Sequence, residues 1–156
     1  MTGELPGKSM RAHAWAAIIA MAAASPAHAQ QAPGWIADKN GCRVWSSTPD
    51  PAETVSWSGV CKDGLANGYG VLVWLLDGQL DEAYVGVLAG GHYTGYGTQI
   101  WRTGATYSGS YLNDRASGWG AYRDPDGNEY SGNWVDGCLK QGAQRFAVGV
   151  PVSECP

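Results

Sequence analysis

The tripeptide Tyr-x-Gly begins three consecutive segments of this chain, at Tyr84-Val85-Gly86, Tyr107-Ser108-Gly109 and Tyr130-Ser131-Gly132. The three tyrosines stand at positions 84, 107 and 130, an interval of 23 residues in each case. A fixed period of about 20 to 50 residues is the sequence mark of a repeat architecture. The sequence therefore predicts stacked copies of one small structural unit.

A Gly-x-Gly pair recurs at Gly68-Tyr69-Gly70, Gly95-Tyr96-Gly97 and Gly118-Trp119-Gly120, whereas the last unit has Gln144 where its second glycine would stand. An altered first copy begins at Trp57, which predicts units over residues 57–83, 84–106, 107–129 and 130–142. The first unit is the longest, and we expect its additional residues, around 79–83, to form a loop. The residues that define the repeat are Trp57, Gly59, Gly68, Gly70, Tyr84, Gly86, Gly95, Gly97, Tyr107, Gly109, Gly118, Gly120, Tyr130 and Gly132.

Each unit has the local pattern of a β-hairpin. From Tyr107 to Tyr111 aromatic residues alternate with small ones, the period of a half-buried strand, and Asp124-Pro125-Asp126-Gly127 is a strong turn signal. A glycine also lets a ring from the adjoining strand lie over the backbone. The predicted fold is all-β, an elongated antiparallel meander of hairpin repeats in a single-layer twisted sheet.

Residues 1–29 match an export signal. Lys8 and Arg11 precede an apolar stretch over residues 14–24, and Ala27-His28-Ala29 fits the small-residue cleavage pattern. The alternative is an uncleaved anchor, but the apolar stretch is shorter than the roughly 20 residues that cross a bilayer. We predict cleavage after Ala29 and a periplasmic or secreted protein, with the start at Met1 or Met10 left open.

The four cysteines, Cys42, Cys61, Cys138 and Cys155, all follow the predicted cleavage site. An even number in an exported chain indicates disulfides, and locality favours the pairs Cys42–Cys61 and Cys138–Cys155 among three connectivities. A zinc site is the alternative, but the close pairs that zinc prefers are missing. We therefore expect a lead-in segment with Cys42 over residues 30–56, and a C-terminal strand and disulfide cap over residues 143–156.

Charge argues against several classes of partner. The chain has a net charge of −4, and removing residues 1–29 takes away Lys8, Arg11 and Glu4, which makes it −5. An acidic protein does not attract nucleic acid or anionic lipid. Nucleic acid is therefore not an expected partner.

The complete pattern resembles the MORN repeat (membrane occupation and recognition nexus) over residues 57–142. The fullest unit spans residues 107–127, the next opens at residues 130–137, and residues 42–68 are similar to the exported bacterial branch of such proteins. The resemblance implies a β-hairpin scaffold in proteins that bind partners, self-associate or lie near membranes. The family's usual lysines are missing from turns such as Ala89-Gly90-Gly91-His92, which argues against binding to anionic membranes.

No residue is expected to be catalytic or to bind a metal or cofactor. His92 is the only histidine after residue 29 and would be the only histidine base for a hydrolase. The serines that could serve as its nucleophile occupy repeat or turn positions; they are Ser108, Ser110 and Ser117. We therefore expect His92 to be an exposed histidine in a turn. Carboxylates cluster in two turns, where a calcium site or a glycosidase acid pair is the alternative to turn chemistry. These carboxylates are Asp81, Glu82, Asp124, Asp126 and Glu129.

Aromatic residues give the best binding signal, and Trp101, Trp119 and Trp134 are the candidate anchors. Our main hypothesis is a non-enzymatic exported scaffold or binding module that contacts a protein partner or a second copy of itself in the bacterial envelope. The alternatives are a module associated with cell-wall glycan or membrane and, third, a small hydrolase that uses His92.

Overall fold

The computed structural model describes residues 33–156, so the predicted signal peptide, residues 1–29, lies outside the described residues. The described part is nearly all β-structure, with one 3-10 turn at Val152–Glu154. The strands in chain order are β1 (Gly34–Ala37), β2 (Arg43–Ser46), β3 (Glu53–Trp57), β4 (Val60–Lys62), β5 (Leu65–Leu76), β6 (Gln79–Ala89), β7 (His92–Trp101), β8 (Thr106–Leu112), β9 (Arg115–Arg123), β10 (Glu129–Trp134), β11 (Cys138–Gln141) and β12 (Gln144–Ala147). The all-β prediction is confirmed.

Most strands form one open sheet in the order β1-β2-β5-β6-β7-β8-β9-β10. From β5 to β10 each strand pairs antiparallel with the next one in the chain, which confirms the predicted meander. Strands β3 and β4 both pair antiparallel with the long strand β5. A parallel bridge from Arg43 to Leu65 joins the hairpin β1–β2 to this sheet, and β11–β12 is a separate hairpin.

The glycines of the repeat form a continuous line across the sheet, which we call the glycine row. Its members are successive Cα partners on strands β5 to β10: Gly70, Gly86, Gly97, Gly109, Gly120 and Gly132. Tyr84 lies over Gly86 and Gly97, and Tyr107 lies over Gly109 and Gly120. We call the face that carries these two rings the inner face, and the opposite one the outer face.

Glycine is required in this row because no space is left for a side chain. A Cβ atom on Gly70 would lie 2.7 Å from Cη2 of Trp57 and 2.8 Å from the backbone nitrogen of Gly59. Trp57, Tyr84 and Tyr107 are correspondingly buried, with 5%, 0% and 0% of their surface exposed. The expected packing of rings on glycine backbone therefore organises the core of the protein.

The fourth unit departs from this arrangement. A Cβ atom on Gly132 would meet Leu139 of β11 instead of a tyrosine. Tyr130 stacks on Phe146 of β12, with 4.1 Å between the ring centroids. The hairpin β11–β12 therefore covers the last unit where another repeat would otherwise stack, as a terminal cap does in repeat proteins.

The expectation of a loop around residues 79–83 is wrong. These residues begin β6, which pairs with β5 from Leu76↔Gln79 onward, and a register shift lies between Trp74 and Leu75. The turn consists of Asp77 and Gly78, both at positive φ, so the additional residues lengthen the first hairpin. A longer hairpin satisfies backbone N–H and C=O groups that a loop would leave to solvent.

Disulfides join Cys42 to Cys61 and Cys138 to Cys155, with Cα–Cα distances of 5.6 and 5.5 Å, and so confirm the local pairing. Disulfides of this kind indicate an oxidising, extracytoplasmic environment. Within residues 33–156 there is no helix with the length and apolar character needed to cross a membrane.

Candidate functional site: a groove on the inner face

The inner face carries a groove with a volume of about 780 Å³. Strands β5, β6 and β7 supply its floor, and the β2–β3 connection and the β8–β9 turn border it. The polar and aromatic residues along it include Trp45, Ser46, Glu53, Trp74, Asp81, Glu82, His92, Tyr93, Gln99, Trp101, Asp114, Arg115 and Asp136. Concave sites with a few converging polar groups are the usual places for ligands.

Glu82 is the centre of a hydrogen-bond network on the groove floor. The hydroxyl of Tyr93 donates to Oε1 of Glu82 at 2.9 Å, and Nε1 of Trp74 donates to the Tyr93 hydroxyl at 2.8 Å. The Tyr111 hydroxyl donates to Oε1 of Gln99 at 2.8 Å, and the side chain of Gln99 lowers the pKa of Glu82. Tyr93 is therefore the direct donor to the Glu82 carboxyl group, and Gln99 lies beside it.

Burial raises the pKa of Glu82 to about 7, against the hydrogen bonds from Gln99 and Tyr93, which lower it. The neighbouring charges of Asp81 and Glu53 raise it further. Burial also raises the pKa of Glu53 itself, whose Oε2 is buried and accepts no hydrogen bond among the described residues. The groove thus holds two carboxyl groups that keep their protons to a higher pH than exposed ones do.

His92 lies at one end of the groove in a defined setting. Its Nδ1 is 2.6 Å from Oδ2 of Asp114, whose Oδ1 accepts from the backbone N–H of Tyr93 at 2.7 Å. The rings of Trp35 and Trp45 lie 5.4 and 5.8 Å from its ring. The expectation of a plain exposed turn histidine is therefore wrong, because His92 begins β7 and its side chain, 33% exposed, lies against the lead-in strands and the β8–β9 turn.

The structure separates the three tryptophans predicted as anchors. Trp101 is half-buried along the groove, and Trp119 is 68% exposed on the outer face. Trp134 is only 1% exposed and donates from Nε1 to the Gly120 carbonyl at 3.1 Å. Trp134 is therefore a core residue, which corrects the expectation that it offers a ring to a partner.

The predicted acidic turns also fall into two groups. Asp81 pairs with Arg102 at 2.8 Å and borders the groove with Glu82. Asp124 instead accepts hydrogen bonds from the backbone and side chain of Asn128 at 2.9 Å, which closes the β9–β10 turn. The cluster around Asp124 is therefore explained by its role in the turn. Within residues 33–156, no three or more His, Cys, Asp or Glu side chains are grouped so that they could hold a metal ion.

Sequence reasoning missed the network around Glu82 and two exposed aromatic residues, Tyr69 and Tyr96. The members of the network come from positions that no motif links. Tyr69 and Tyr96 had a usable signal, because each stands between the two glycines of a Gly-x-Gly pair and so next to the glycine row. A residue adjacent to an inner-face position on a strand faces outward.

No protein-family model and no curated protein matches the chain.

Proposed function

We propose that this protein is an exported, non-enzymatic binding module of the MORN-repeat type, whose inner groove receives a basic side chain from a protein partner in the bacterial envelope. The observation that carries the proposal is the carboxyl group of Glu82 on the groove floor, which accepts a hydrogen bond from Tyr93 and is surrounded by further acidic and aromatic side chains. The repeat pattern over residues 57–142 supports the family, and the two disulfides and the predicted leader support export.

The acidic side chains of the groove favour a cation. Five carboxyl groups lie along it, of which Asp81 already pairs with Arg102 and Asp114 with His92, whereas Arg115 is the one arginine or lysine among its lining residues. The five are Glu53, Asp81, Glu82, Asp114 and Asp136. An arginine or lysine side chain would favour ionised carboxylates, which lowers their pKa and makes binding release a proton.

The aromatic residues of the groove favour the same kind of ligand. Trp45 and Trp101 are half-buried, so each ring keeps a part of its surface accessible from the groove. A guanidinium or ammonium group is attracted to the face of an indole ring, with about 0.5 to 2 kcal/mol for each such contact. Rings beside carboxyl groups therefore suit arginine better than an aliphatic side chain.

One observation favours binding over hydrolysis. Ser108 faces outward, where its hydroxyl lies 3.0 Å from that of Thr98, whereas the contact of Asp114 with Nδ1 of His92 leaves Nε2 free of that contact and does not by itself exclude a base. No nucleophile and base pair is thus formed by His92 and Ser108. If a hydrolytic activity is found, an unchanged rate in His92→Ala removes this histidine as its base, and loss of the activity in Glu82→Gln contradicts the non-enzymatic proposal.

The test uses a fluorescent tri-arginine peptide and its tri-citrulline analogue, which has nearly the same shape without charge. We expect binding of the arginine peptide only, weakened about tenfold in Trp101→Ala and in Glu82→Gln. Trp119→Ala on the outer face is the matched control and should bind normally. Equal binding of both peptides, or no effect of either groove variant, contradicts the proposal.

Cross-linking in the periplasm then addresses the natural partner. We expect a cross-linked protein whose yield falls in Glu82→Gln but not in Glu129→Gln, an exposed carboxyl at the start of β10. A cross-linked basic segment is the expected contact. If the only cross-links are to a second copy of this chain, the binding partner is the protein itself and a homo-oligomer forms.

A further inference from the structure

Three aromatic side chains form a regular line on the outer face. Tyr69, Tyr96 and Trp119 are 69%, 64% and 68% exposed, although each belongs to a residue type that proteins tend to bury. Each directly precedes a member of the glycine row, on β5, β7 and β9 respectively. They therefore share one face and one level of the sheet, and we call them the aromatic row.

The spacing of the aromatic row follows from the sheet. Its members are on alternate strands, and because neighbouring strands are about 4.8 Å apart, successive rings are about 10 Å apart across the sheet. Strands β5, β7 and β9 also run in the same direction, since each pair of neighbours between them is antiparallel. The Cα–Cβ bonds of the three residues therefore have the same orientation relative to their strands.

The surface between these rings is uncharged. Hydroxyl and amide side chains stand beside the glycine row on β7, β8 and β10, among them Thr98, Ser108, Ser110 and Asn133, whereas Val85 and Val87 stand beside it on β6. In the register of the sheet, Ser110 is the partner of Tyr96 and Asn133 is the partner of Trp119. A neutral ligand with many hydroxyl groups fits such a surface, whereas a basic or acidic segment would find no countercharge there.

We infer that the aromatic row is a binding platform for a linear, uncharged β-1,4-linked polysaccharide. In such a chain, alternate sugar rings present the same apolar face, and the disaccharide repeat is close in length to two strand spacings. Each aromatic ring can then stack on every second sugar, and the serine and asparagine side chains can hydrogen-bond the sugar hydroxyls. This site lies on the face opposite the groove and does not depend on the function proposed for the groove.

The test is calorimetric titration with oligosaccharides of defined linkage and length. N-acetylglucosamine hexamers and glucose hexamers joined by β-1,4 bonds should bind, and both should bind more tightly than their trimers because more rings are engaged. The α-1,4-linked glucose hexamer, which is curved, should bind more weakly. Quenching of tryptophan fluorescence gives a second readout, because Trp119 is a member of the row.

Tyr96→Ala removes the central ring and should weaken binding of the β-1,4 hexamers about tenfold. Ile100→Ala is the matched control, because Ile100 is 42% exposed on the same strand and face but is not in the row. The inference is overturned if neither hexamer binds, if trimers and hexamers bind alike, or if Tyr96→Ala has no more effect than Ile100→Ala. It is also overturned if Tyr96→Ala abolishes a concentration-dependent dimer while sugars have no effect, since the face would then join two copies.

Discussion

The free energy of unfolding of Glu82→Gln, compared with that of the unchanged protein, should become larger as the pH rises from acid to above neutral. The unfolded chain ionises this carboxyl near its ordinary pKa of 4.5, whereas the folded protein keeps the proton until about pH 7. The stability contributed by the protonated carboxyl is therefore complete below pH 4.5 and is lost as the pH rises to 7. Because a tenfold difference in proton affinity equals about 1.4 kcal/mol, the loss is about 3 kcal/mol.

Urea unfolding followed by tryptophan fluorescence measures this effect between pH 4 and pH 8. The difference in free energy of unfolding between Glu82→Gln and the unchanged protein should shift by up to about 3 kcal/mol in favour of glutamine. The pKa of Glu53 is also raised, so Glu53 makes the stability fall with pH in the same direction. Because both proteins contain Glu53, most of its contribution cancels in the difference. Glu129→Gln, which replaces an exposed carboxyl group outside the groove, is the control. A difference that is constant with pH would refute the buried environment assigned to Glu82.

Three further changes test the packing. Gly86→Ala should destabilise the protein by about 1 to 3 kcal/mol in urea unfolding, because the new Cβ atom would lie 2.8 Å from Cα of Gly97. Trp134→Phe should cost about 1 to 3 kcal/mol by leaving the buried Gly120 carbonyl without this donor, and normal stability would show that the bond is dispensable. Replacing Cys138 and Cys155 by serine should cost about 3 kcal/mol in the same assay, and a reductant should lower the unchanged protein's midpoint more than the variant's, which retains only Cys42–Cys61.

The repeated part of the fold could be predicted because its determinants are local. Tyr84 and Tyr107 each stand two residues before a glycine over which they lie, so one sequence period specifies the strand, its buried face and its neighbour. The pairing of the cysteines followed from short separations for the same reason. The lead-in was harder, since Trp35 and Trp45 pack against His92 through contacts that no period connects.

The groove could not be predicted for a related reason. Glu82 resembles a turn carboxylate in the sequence, and only the lengthened hairpin β5–β6 brings it into the sheet beside Tyr93 and Gln99. The error about Trp134 has another origin. Its position in the unit is equivalent to that of Tyr111, and both face the core, so alternation along the strand could have placed it there.

The measurement that tests the proposed function most directly is calorimetry of the tri-arginine peptide at pH 6 and pH 8, in buffers with different heats of ionisation. Because a cation binds the ionised form of Glu82, affinity should rise with pH, and proton release should accompany binding at pH 6. Both effects should become smaller in Glu82→Gln, where Glu53 is the remaining groove carboxyl with a raised pKa. Affinity that does not change with pH, without proton release, would contradict the assignment of the groove as a site for a basic side chain.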